Sequence, residues 1–148
     1  MKKNEIRILL VEDNEGDILL TLEALKEARI GNEVDVVKDG DKALQFLKKE
    51  GEFKDANTPD LILLDINLPR TDGFEVLAVI KKDERLSVIP VIMLTTSDSE
   101  KDILESYKHH ANCYITKPVN FENFMNVIQT IKEFWINIVK LPNPNIYE

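Results

Sequence analysis

Cysteine is nearly missing from this chain. Cys113 stands alone, so no internal disulfide can form. Positive charge is scarce: 19 Lys and Arg stand against 27 Asp and Glu, for a net charge of −8. An acidic surface repels nucleic acid phosphates, so direct nucleic acid binding is disfavoured, and no basic recognition helix is present. Long apolar runs are also missing. The longest are a few residues, far short of a membrane span, and the N-terminal Met1-Lys2-Lys3-Asn4-Glu5 has no apolar signal core. Repeats and low-complexity segments are absent. Together these absences fit a cytoplasmic protein that does not contact a membrane. What is present is 148 residues at 43% hydrophobic composition, enough to bury a real core. The expectation is one domain over residues 1–148, with a core at 6–139 and a C-terminal tail at 140–148 that Pro142 and Pro144 keep from continuing a helix.

The stretch from Leu61 to Gly73 organises the rest. Leu61-Ile62-Leu63-Leu64 runs straight into Asp65, the pattern of a strand buried on both faces with a carboxylate at its end. Pro69 and Asp72-Gly73 then turn the chain into a helix. Similar apolar runs at 6–11, 34–37, 91–94 and 113–115 read as strands. Helical spacing is found over 17–28, 40–49, 73–81, 99–110 and 121–139. Residues 51–59 lack a hydrophobic pattern and read as a surface loop. Five strands alternating with five helices predict an α/β doubly wound, flavodoxin-like (βα)5 fold, its parallel sheet in the order 2-1-3-4-5.

In such a sheet, ligands sit outside the carboxyl ends of the strands. Four of the five predicted strands deliver polar groups there: Glu12 and Asp13, Asp65, Thr95 and Thr96, and Lys117. Carboxylates crowded together raise one another's pKa unless a cation joins them. Mg²⁺ suits hard oxygen ligands of this kind together with phosphate. A metal, a lysine and a hydroxyl around one further carboxylate would stabilise phosphoryl oxygens, which points to an aspartate that accepts a phosphoryl group.

At this point the chain resembles the response-regulator receiver domain, the CheY-like phosphoacceptor of two-component signalling. The resemblance rests on Glu12-Asp13, on Asp65 within Leu64-Asp65-Ile66-Asn67-Leu68-Pro69, on Asp72-Gly73, on Thr95, and on Lys117-Pro118. It implies that Asp65 is the phosphoacceptor for a sensor histidine kinase or phosphotransfer protein. It further implies that Asp13 and Asp65 ligate Mg²⁺, with Glu12 acting mainly through water and the Asn67 backbone carbonyl as a further ligand. Thr95 and Lys117 would contact the phosphoryl oxygens, Thr96 would limit water access, and the Lys117-Pro118 bond would be cis. Tyr114 would be a switch aromatic that turns inward as Thr95 moves. The receiver would catalyse only its own phosphorylation and dephosphorylation, acting as a stand-alone regulator that signals through protein contacts. The longer 51–59 loop and the Phe134-Trp135 ending look like the regulators paired with bacterial and cyanobacterial phytochrome kinases.

Other readings are weaker. Asp72 reads as turn chemistry, His109-His110 as a helix C-terminus, Cys113 as a buried inert thiol, and the Lys48-Lys49 and Lys81-Lys82 pairs as solvated faces. A haloacid-dehalogenase-type phosphatase would need a second aspartate where Asn67 stands. A flavodoxin-type electron carrier would need a hydroxyl- and glycine-rich loop where Glu12-Asp13-Asn14-Glu15 stands. The last helix carries a broad apolar stripe, with Phe121, Phe124, Ile128, Ile131, Trp135 and Ile138 at three-four spacing. This reads either as a broad core-facing helix or as one that also buries against a second copy, a homodimer anchored by Phe134 and Trp135.

Overall fold

The computed structural model describes residues 6–29, 33–117, 120–138 and 140–142. Strands β1 (Arg7–Val11), β2 (Glu33–Val37), β3 (Leu61–Leu64), β4 (Val91–Thr95) and β5 (Cys113–Thr116) alternate with helices α1 (Glu15–Glu27), α2 (Gly40–Lys48), α3 (Gly73–Lys82), α4 (Glu100–Lys108) and α5 (Phe121–Ile131). The sheet is parallel throughout, in the order β2-β1-β3-β4-β5, as expected.

Because successive side chains point to opposite faces, the continuous apolar strands feed two separate cores. Leu9, Val11, Ile62, Leu64, Val91 and Met93 face one side, where Phe46 and Leu47 of α2 and Val76, Leu77 and Ile80 of α3 cover them. Ile8, Leu10, Leu61, Leu63, Ile92 and Leu94 face the other, under Ala24 and Leu25 of α1 and Phe124, Ile128 and Ile131 of α5. Burying each of these large side chains contributes about 1.5–3 kcal/mol.

All five helices begin with a side-chain cap. Asn14, Asp39, Asp72, Ser99 and Asn120 each accept a hydrogen bond from a backbone N–H three residues on. In a parallel βα fold these starts follow the carboxyl ends of the strands, so the caps share a rim with the expected site. Asp72 forms a full capping box with Glu75, which confirms turn chemistry at that position.

Several sequence expectations change. In α1, where Ile18, Leu22 and Leu25 recur at helical spacing, Ile18 and Leu25 are buried as that spacing predicts, but Leu22 is only half-buried, Thr21 and Ala24 are buried and Leu19 is exposed. Loop 51–59 is more than surface. A short 3-10 turn, Gly51–Phe53, lays the Phe53 ring 5.4 Å from Phe46, a single aromatic contact that has no periodic signature. Lys81 is not solvated: its Nζ donates to the Ser87 and Ile89 carbonyls and to Asn112 Oδ1, and burial lowers its pKa. Cys113 is half-buried rather than buried. The last helix is α-helical only to Ile131 and continues as a π-helix over Lys132–Ile138. Of its apolar stripe, Phe124, Ile128 and Ile131 are buried and Trp135 packs partly against the second core. Phe121 and Phe134 are exposed, and the side chain of Ile138 lies outside the described residues.

Helix α4 buries little, but Ser106 is fully buried and its hydroxyl is the one buried side-chain polar atom, among the described residues, without a hydrogen-bond partner. An unsatisfied buried hydroxyl costs about 1–3 kcal/mol, and alanine is the better helix former. Ser106→Ala is therefore expected to raise stability by about 1 kcal/mol, read as a shift of the urea midpoint at constant slope.

Candidate functional site

The sheet's hydrogen bonding runs one residue past the strands, and that extension places the site. Glu12 N–H donates to the Val37 carbonyl at 3.0 Å, Asp65 N–H to Val11 at 3.1 Å, and Lys117 N–H to Thr95 at 2.7 Å. Each functional residue is thus tied by its backbone to the neighbouring strand, and its side chain leaves a rigid edge. Glu12, Asp65, Thr95 and Lys117 are all buried, whereas Asp13 is exposed.

The side chains converge as expected. Carboxylate oxygens of Glu12, Asp13 and Asp65 lie within 4.8 Å of one another. Opposite them is the Lys117 ammonium. It donates to Glu12 Oε1 and stands 3.5 Å from Asp65 Oδ2. It also donates, at 2.9 Å, to Asp17 Oδ2 on the first turn of α1. Sequence reasoning missed Asp17, which was read only as a helix start. The partners are 100 positions apart, so no local spacing signals the pair.

The electrostatics follow from burial. Removal from water pushes the Glu12 carboxyl up to about 7, with the Asp65 charge adding to the rise and the Lys117 hydrogen bond opposing it. Burial pulls the Lys117 pKa down, but the hydrogen bond to Glu12 and the charges of Asp65 and Glu12 prevail, and the net shift is upward. Lys117 therefore stays an ammonium. One ammonium faces Glu12, Asp17 and Asp65, and Asp13 adds a further carboxyl to the cluster, so hard oxygen donors outnumber the positive charge. The Glu12-Asp13-Asp65 group fits a divalent metal ion.

Asp65 is held firmly. Its Oδ1 accepts from the Ile66 N–H at 2.7 Å. The Ile66 carbonyl accepts from Leu68 and Gly73, pinning the loop that carries exposed Asn67. Gly73 packs so tightly that a Cβ there would lie 2.2 Å from the Asp65 carbonyl oxygen. On the other side, the Thr95 hydroxyl accepts from the Ser97 N–H at 3.4 Å, and the Tyr114 hydroxyl donates to the Ser97 carbonyl at 2.7 Å. Ser97 Oγ in turn donates to Asp102 on α4. Thr95 and Tyr114 thus meet through Ser97, a link that no local sequence spacing signals. Tyr114 is half-buried against the first core and Thr96 is exposed. The cis bond expected at Lys117-Pro118 lies outside the described residues.

Residues 8–129 match the model of the response regulator receiver domain. The chain is 47% identical over 135 residues to "Response regulator Rcp1" of Synechocystis sp., covering 91% of this chain and 92% of that one. The crystal structure of a phosphorylated cyanobacterial phytochrome response regulator, RcpA, superposes with a TM-score of 0.90 at 49% identity, over 94% of this chain and 99% of that one. The Mn²⁺-bound form of Rcp1 superposes with a TM-score of 0.87 at 46% identity, over 93% and 99%.

Proposed function

The chain belongs to the response-regulator receiver family, and from that premise we propose that Asp65 accepts a phosphoryl group from a sensor histidine kinase, with Mg²⁺ as the metal. The observation that carries this reading is the placement of Asp65 in a carboxyl cluster with Glu12 and Asp13 that fits a divalent cation, with Lys117 Nζ 3.5 Å from its other side. A carboxylate attacking a phosphoryl group needs its approach to a charged donor neutralised, and fixed cations do this without reorganisation. Mg²⁺, when bound, shields the phosphoryl oxygens. The Asp13 and Asp65 side chains and the Asn67 carbonyl would hold it, and Glu12 would act through water. In the transfer, an Asp65 Oδ forms a bond to phosphorus as the bond to the donor breaks, and the donor leaves with the electron pair.

The chain's own residues do the rest. Lys117 is the fixed ammonium for the product's phosphoryl oxygens, and Thr95 supplies a hydroxyl to them. When Thr95 is drawn toward the phosphoryl group, its bond from the Ser97 N–H is lost. Tyr114, which holds the other side of Ser97, then re-seats its ring. The surface around α4 and β5 would change with it, and the signal leaves by protein contact. RcpA is a phytochrome response regulator, and its close likeness supports a phytochrome kinase as the upstream partner. The test is intact mass after acetyl phosphate treatment with and without Mg²⁺. A gain of one phosphoryl group only with metal is expected; no gain with either acetyl phosphate or a phosphorylated histidine kinase would overturn the assignment.

A homodimer is a second element of the proposal, favoured by the exposed Phe134 ring packed edge-on against Trp135 at 5.6 Å. Trp135 also supports the second core, so substituting it would confound assembly with folding. Phe134→Glu is the cleaner probe. Its mass by light scattering is expected to fall toward monomer at micromolar concentration, with thermal stability unchanged.

A further inference from the structure

We propose that Asp17 is a positioning residue for phosphoryl transfer: it holds the Lys117 ammonium in place when Glu12 turns from that ammonium to the metal. The inference rests on the roles proposed above for Lys117 and Glu12. An ammonium has three N–H groups, and in this structure Lys117 Nζ faces three carboxylates: Glu12, Asp17 and Asp65. Two of these have other duties. Glu12 and Asp65 both belong to the metal cluster, and Asp17 does not. When the cluster takes a cation, the hold of Glu12 on Lys117 weakens, and Asp65 becomes the site of bond formation. Of the three, Asp17 alone has no competing side-chain partner among the described residues.

The geometry suits that task. The 2.9 Å contact is shorter than the 3.5 Å separation from Asp65. The Lys117 side chain is 3% exposed and Asp17 is 29% exposed, so the bond sits at the mouth of the pocket, between buried ammonium and solvent. Asp17 is itself fixed. Its N–H donates to the Asn14 cap at 2.9 Å, and its carbonyl accepts from Thr21 Oγ1 at 2.7 Å. A lysine on a flexible four-carbon stem needs such an anchor if its charge is to be ready where the phosphoryl oxygens arrive.

The test is the rate of Mg²⁺-dependent labelling by acetyl phosphate. In that reaction the phosphorus–acyl oxygen bond breaks, a bond from phosphorus to Asp65 Oδ forms, and acetate leaves with the electron pair. Asp17→Asn keeps the shape but weakens the anchor, and about a tenfold slower rate is expected. In a Lys117→Ala background the same change should add nothing, and Asp17→Glu should restore most of the rate. A second readout is independent of transfer. The Lys117 ammonium proton signal of the metal-free protein should exchange faster with solvent in Asp17→Asn. An unchanged rate in Asp17→Asn beside a slow Lys117→Ala overturns the role of Asp17 alone. Equal slowing in both backgrounds does so as well, as does an unchanged ammonium signal. Normal labelling in Lys117→Ala overturns the reading of Lys117, and the inference with it.

Discussion

Asp65→Asn is expected to show no gain of phosphoryl mass under any condition that labels the parent protein. The carboxamide keeps the size of the side chain and can still accept from the Ile66 N–H. It lacks the negative oxygen that attacks phosphorus, and it removes one ligand from the Glu12-Asp13-Asp65 cluster. Loss of activity with loss of fold is the trivial alternative, and the electrostatics argue against it. The substitution takes one charge from a site crowded with carboxylates, and the Asp65 charge is one of the influences that raise the Glu12 pKa. The variant should therefore be at least as stable as the parent in the absence of metal, by thermal unfolding. Labelling that persists at another residue, Asp13 being the nearest exposed carboxylate, would overturn the acceptor assignment.

Gly73→Ala should produce a large loss of stability for a single methyl addition. A Cβ at this position would lie 2.2 Å from the Asp65 carbonyl oxygen and 2.7 Å from the Ile66 Cα. Both are backbone atoms, so no side chain can swing aside. They also belong to the segment whose backbone bonds fix the acceptor: Asp65 N–H to Val11 and Gly73 N–H to Ile66. Helix α3 must shift outward or the loop carrying Asn67 must deform, and overpacking against fixed atoms costs about 3 kcal/mol or more. In a domain of this size that corresponds to a fall in Tm of about 10 °C. Gly16→Ala is the control. There a Cβ meets only the Asn14 side-chain oxygen, at 3.3 Å, and stability should change by less than about 1 kcal/mol. A Gly73→Ala variant that unfolded like the parent would show that the α3 junction is more pliant than its contacts imply.

The sequence carried most of the fold because the strands are buried on both faces. Leu61 to Leu64 could be recognised as an interior parallel strand from their run of apolar residues alone, and Asp65 stood out by contrast. Glu12, Asp13, Thr95 and Lys117 were legible for the same reason: each is the first polar residue, or nearly so, after such a run. What escaped notice was held by contacts between distant parts of the chain. The Asp17–Lys117 bond joins residues 100 positions apart. Lys81 looked solvated beside Lys82, yet it ties α3 to the turn before β4 and to Asn112. Phe53 is one ring in a polar segment, and only the fold brings it to Phe46. At the end of α5 the apolar residues are too many for a single stripe, and the helix there turns π-helical, with Trp135 packed partly against the second core and Phe134 exposed. Periodicity at 3.6 residues does not register that change.

The half-buried position of Trp135 at this end of the chain gives the protein an intrinsic optical label. It is the single tryptophan, packed partly against the second core, as is the half-buried Cys113 thiol. Thiols quench indole emission, so fluorescence excited at the red edge of the protein band reports one junction, between β5 and the last turns of the chain. Loosening of that junction should brighten the emission and shift it to longer wavelength, while the ellipticity of the other helices stays constant. Events at the start of β5, where Tyr114 follows Cys113, can therefore be followed without attaching a dye.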